Sequence, residues 1–109
     1  MSQRIQKINT LIKQRVGELL SRELSMKPGV FVTITKVDTT PDLRYTRVSV
    51  SIFPEKDINY AMQALKNEKG SIQKGLHGKL HMKPLPKLSF IYDPTEAEAD
   101  KIERILLEL

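Results

Sequence analysis

His77 and His81 stand four residues apart, the spacing that puts two imidazoles on one helix face where a metal ion could bridge them. The pentapeptide His77-Gly78-Lys79-Leu80-His81 lacks the glutamate that a zinc-protease helix carries between its histidines, and no third ligand stands near it in sequence. With no cysteine in the chain, thiolate metal sites, disulfides and cysteine nucleophiles are excluded, and a reducing compartment is expected. There is neither a Gly-x-Ser-x-Gly elbow nor a phosphate-binding loop of the Walker type. The acids over 93–103 suit a solvated helix start, where negative charge favours the macrodipole, better than a catalytic carboxylate pair. No metal, no cofactor and no catalytic residue is expected, and the protein is read as not an enzyme.

Charge carries more information. Residues 66–87 hold six lysines against Glu68 alone, residues 1–54 hold nine basic side chains against four acids, and residues 88–109 reverse the balance with six acids against two basic groups. A net charge of +5 gathered in two segments points to a polyanion met by one side of the molecule. Lys66 and Lys69 precede Gly70. Lys74, His77 and His81 recur at helical spacing opposite Ile72, Leu76 and Leu80, and Lys79, Lys83 and Lys87 lead onward to the third strand. Phosphate contacts need cations on a usable face and no base readout, so this track is the candidate RNA-binding site. Arg4, Arg15 and Arg22, returning to nearly one helix edge, are candidates beside it.

Two other patterns are weaker. Gly75-Leu76-His77-Gly78 matches the Gly-x-x-Gly string of K-homology loops, yet it falls inside a helical stretch instead of between two helices. It is read as a decoy, and alanine at either glycine is expected to spare RNA binding and to stabilise the helix. Phe31, Tyr45, Phe53, Tyr60, Phe90 and Tyr92 are scattered without a glycine-aromatic strand signature, and most are read as core or strand-packing residues.

These residues must be held by a small set of elements. Ile5, Ile8, Ile12, Val16 and Leu19 give one apolar face to a helix over 4–24, stopped at Met26-Lys27-Pro28-Gly29. The stripe runs too far into the chain for a cleaved leader, and no apolar run approaches the ~20 residues of a membrane helix. Alternating strands over 30–37 and 44–53 flank Thr40-Pro41-Asp42, a turn sequence, so an antiparallel hairpin is expected. Asp57 is placed to cap a second helix with Ile58, Met62 and Leu65 inward. It resumes after a kink at Gly70 with Ile72, Leu76 and Leu80. Lys83-Pro84-Leu85-Pro86 ends it; a strand over 88–92 follows, and Thr95 and Glu98 form a capping box for a last helix with Ile102, Ile105, Leu106 and Leu109. The fold class is α+β, in the order helix, strand, strand, kinked helix, strand, helix. The long crossover between the second and third strands permits a parallel pair.

The run Phe31-Val32-Thr33-Ile34-Thr35-Lys36-Val37, then Pro41-Asp42-Leu43-Arg44-Tyr45 and Val48-Ser49-Val50-Ser51, resembles the hairpin of the ribosome-binding factor A family. So do Ile8-Asn9-Thr10-Leu11-Ile12-Lys13 and Pro86-Lys87-Leu88-Ser89-Phe90-Ile91-Tyr92-Asp93, so the likeness spans almost the whole chain. It implies a type II K-homology-like three-stranded sheet with helices packed on it, as a single RNA-binding domain over 1–109. It implies a cytoplasmic monomer, with no membrane association, that binds the small ribosomal subunit and its rRNA. The role implied is late maturation, including rRNA processing, and growth in the cold. In the family an Ala-x-Gly kink replaces the Gly-x-x-Gly loop; Glu68-Lys69-Gly70 keeps only the glycine, and Gly70-Ser71-Ile72-Gln73 stands where Gly-Phe-Ile-Arg is usual. The alternative is a basic protein-interaction adaptor without direct RNA contact.

Overall fold

The apolar period of the N-terminal stretch closes into α1, Gln3–Glu23, in a computed structural model that describes residues 3–80 and 85–95 and, within them, all side chains but those of Glu23 and Lys79. Ile12, Val16, Leu19 and Leu20 are buried along one side of α1, with Ile8 packed against them. Lys27-Pro28-Gly29 reverses the chain: the N–H of Val30 donates to the Lys27 carbonyl at 3.3 Å, and Gly29 takes φ 88°. Proline and then glycine suit this turn because the first fixes φ near −65° and the second accepts a positive φ without a Cβ clash.

β1, Phe31–Thr39, and β2, Tyr45–Phe53, form the expected antiparallel hairpin. The Thr40 side chain organises its loop. Its hydroxyl donates to Asp42 Oδ1 at 2.6 Å and accepts from the Tyr45 N–H at 3.2 Å, while Leu43 takes φ 60°. The Thr40 hydroxyl and then the Arg44 N–H hold the Asp42 carboxyl below the usual carboxylate range. Strict alternation over 30–37 does not survive. The register shifts between Ile34 and Lys36, leaving Thr35 as the extra residue of a bulge, so inward positions pass from Val30, Val32 and Ile34 to Val37 and Thr39. The valine spacing 30, 32, 37 requires this, because an unbulged strand would turn Val37 to the other face.

A turn of 3-10 helix at Glu55–Asp57 leads into α2, Ile58–Lys79. The expected two pieces are one uninterrupted α-helix, with Gly70 exposed within it. A second correction concerns Asp57. It stands at the N-cap position, but its side chain makes no cap hydrogen bond. Buried at 6% exposure, it instead pairs with Lys27, whose Nζ lies 2.7 Å from Oδ1. That bond, and after it the carboxylate's charge, raises the Lys27 pKa. The Tyr60 hydroxyl accepts the Lys27 backbone N–H at 3.0 Å, so the turn after α1 is fastened to the first turn of α2.

β3, Lys87–Tyr92, lies parallel to β2, giving the strand order β1-β2-β3. Both helices pack on one face of this sheet, over Val48, Val50, Ile52 and Leu88. Ala61, Leu65, Ile72 and Leu76 bury α2 completely along its inner stripe. Each large side chain among them is worth about 1.5–3 kcal/mol in burial, which outweighs the ~1 kcal/mol cost of a helix-interior glycine. This is the α+β arrangement expected, with the helices on one side of a three-stranded mixed sheet. The last expected helix lies outside the described residues.

Candidate nucleic-acid interface

Burying Leu65, Ile72 and Leu76 decides which α2 side chains reach solvent. Lys66, Gly70, Lys74 and His77 follow at spacings of four, four and three, and all are exposed, so they make one outward stripe; Lys69, also exposed, lies beside it. Among the described residues no carboxylate pairs with Lys66, Lys69 or Lys74. Unneutralised ammonium groups on one rigid helix can each release counterions from a polyanion.

Sequence reasoning placed further residues at this site. Lys79 ends α2, with its side chain outside the described residues, as are His81 and Lys83 altogether, while Lys87 opens β3 exposed on the sheet face turned away from the helices, apart from the stripe. On α1, Arg4 and Arg22 are exposed, whereas Arg15 is half-buried with its Nη1 3.2 Å from Glu18 Oε2. Arg15 is therefore already engaged on its own helix. A β-carbon added at Gly70 would meet nothing within 4 Å, so the packing does not require that glycine, and its place in the stripe is a bare stretch of helix surface between Lys66 and Lys74.

Gln73 has a structural task. Its Nε2 donates to the Pro86 carbonyl at 2.8 Å, and its Oε1 accepts the Leu88 N–H at 3.0 Å. The amide thus ties α2 to the entry of β3, which no spacing rule would have revealed. Gly75 is a correction of another kind. A β-carbon there would come 2.6 Å from Leu19 Cδ2, so this glycine is where α1 and α2 cross closely, and alanine is not free to enter. Gly78 has open space.

The aromatic residues divide between the two faces of the sheet and the surface of α2. Phe90 and Tyr92 pack on the core, but Phe31, Tyr45, Phe53 and Tyr60 are exposed. Phe31 and Phe53 are direct cross-strand partners on the sheet face turned away from the helices. Their signal was latent in the alternation, since Phe31 and Phe53 occupy the positions opposite Val30, Val32 and Ile52.

Comparison with known proteins follows the same geometry. The chain is 30% identical over 110 residues to ribosome-binding factor A of Macrococcus caseolyticus, covering 100% of this chain and 96% of that one. The crystal structure of ribosome-binding factor A from Thermus thermophilus superposes with a TM-score of 0.70 at 21% identity, over 81% of this chain and 93% of that one. A homology model of the Thermus thermophilus factor, fitted into the cryo-EM map of a 30S complex with that factor, matches with a TM-score of 0.65 at 23% identity, over 79% and 91% of the two chains. Residues 4–106 match the family described as ribosome-binding factor A, and the chain belongs to that family.

Proposed function

We propose that the protein binds the small ribosomal subunit through its rRNA and assists late maturation of that subunit, including rRNA processing, as a binding factor without catalytic activity. The observation that carries this reading is the exposed α2 stripe of Lys66, Lys74 and His77 with Lys69 beside it, free of carboxylate partners among the described residues, in a member of a family of ribosome-binding factors. The 30S complex of the Thermus thermophilus factor supports the choice of subunit. Phosphates would meet the lysines, and the bare surface at Gly70 would let the RNA backbone approach the helix. Lys79, His81 and Lys83 would extend the contact beyond α2, and Arg4 and Arg22 would flank it from α1, where Arg15 is held by Glu18. In this reading one K-homology-like domain over 1–109 acts as a cytoplasmic monomer and supports growth in the cold.

Sedimentation of a cell extract tests it. The protein should travel with free small subunits and be largely absent from translating ribosomes. Recovery only in the soluble fractions at low salt contradicts the proposal.

A further inference from the structure

The sheet face opposite the helices has no cover among the described residues. Phe31 and Phe53, paired across the hairpin, are 63% and 61% exposed, and Ile91 of β3 is exposed on the same face. Exposed aromatic pairs on an open sheet are costly to leave in water, since each ring carries some 150–250 Å² of surface.

We propose that this face is the docking surface for the chain's own acidic C-terminal segment, residues 96–109. Three observations favour this occupant. The first is where the described chain ends. β3 runs parallel to β2, and its last residue, Tyr92, lies beside Val50, three residues or about 10 Å along β2 from Phe53. Asp93 continues the ladder in register, as Lys87 opens it. The Asp93 N–H donates to the Val50 carbonyl at 2.7 Å, and its Oδ2 lies 2.9 Å from the hydroxyl of Thr35, the bulge residue of β1. The backbone thus runs on along β2 in the direction of Phe53, while the Asp93 side chain reaches across β2 to β1. Hydrogen bonds from Thr95 and then from Thr35 hold the Asp93 carboxyl below the usual carboxylate range.

The second is length and pattern. Fourteen residues remain, enough for about 21 Å as a helix, and the sheet is about 10 Å wide between its outer strands. Ile102, Ile105, Leu106 and Leu109 recur at helical spacing and need an apolar counterpart. Charge is the third. The segment holds five acids against two basic residues, and the face presents Arg47 and Lys87, beside a Lys36 that pairs with Asp38 at 3.2 Å. A tethered segment acts at an effective concentration of order mM, so it prevails over a second copy of the chain at μM concentration.

The absence of cysteine makes the test clean. Thr33, exposed beside the aromatic pair, is changed to cysteine and given a nitroxide, and amide intensities of residues 102–109 are read by NMR in the full chain. The expected result is at least a twofold intensity loss there, with none when nitroxide-bearing unlabelled protein is mixed with isotope-labelled protein lacking the nitroxide. An Ile102→Asp, Leu106→Asp double variant carrying the same label should recover that intensity. Unchanged intensities, or a loss the double variant leaves in place, overturn the proposal. Equal loss in the mixed sample assigns the face to a second copy and overturns it as well. None of these readings depends on RNA, so failure here is distinct from failure of the proposed function.

Discussion

A β-carbon placed on Gly75 of α2 would stand 2.6 Å from Cδ2 of Leu19 on α1, and Leu19 is itself buried in the core. Gly75→Ala must therefore push a packed leucine aside. Overpacking costs about 1–3 kcal/mol, against roughly 1 kcal/mol regained in helix propensity. The variant should lose on the order of 1 kcal/mol in denaturant unfolding. Gly78→Ala, in open space, should gain up to about 1 kcal/mol. Equal responses at the two sites would contradict the close crossing.

Gln73 joins α2 to β3 through both ends of its amide. Gln73→Ala leaves the Pro86 carbonyl and the Leu88 N–H without that partner, which costs about 1–3 kcal/mol for partly buried groups. Hydrogen exchange at the Leu88 amide should accelerate, while RNA affinity changes by less than about twofold. An unchanged exchange rate contradicts this account of the residue.

The pair of Lys27 and Asp57 gives a pH signature. Because Lys27 is raised above its ordinary 10.5, chiefly by its hydrogen bond to Asp57, its contribution is fully present below that pH and is lost as pH rises through the folded value. Stability should thus fall more steeply above about pH 10.5 in the wild type than in Asp57→Asn. Parallel curves for the two proteins would show that the pair contributes nothing to the folded state.

The same residues mark what sequence could and could not disclose. Periodicity placed α1 to within a residue at either end, because Ile12, Val16 and Leu19 recur at the period that the core enforces. Local turn chemistry was equally readable at Pro28-Gly29 and at Thr40-Pro41-Asp42. Asp57 was misread for a physical reason: its carboxylate had two possible partners, the N–H groups of α2 and an ammonium thirty positions away, and only the folded chain brings Lys27 near. Phe31 and Phe53 are 22 residues apart, and their pairing depends on hairpin register. For the candidate interface, sequence gave the lysines and their spacing. Burial of Leu65 and Ile72 then decided which of them face solvent together, and the ion pair at Arg15 set that residue apart.

The most direct test of the central claim measures binding of purified protein to free small subunits across a salt series. Lys66, Lys69 and Lys74 are replaced together by glutamate, and Lys36, Arg47 and Lys87 on the opposite sheet face are reversed as a charge-matched control. Exposed substitutions usually shift stability by less than about 0.5 kcal/mol each, so both variants should stay folded. The α2 variant should bind at least tenfold more weakly, with a slope of log affinity against log salt shallower by about one unit for each phosphate contact removed. The control should keep its affinity within about threefold. Equal weakening in the two variants would show that net charge alone governs binding, and would contradict the assignment of the interface to α2.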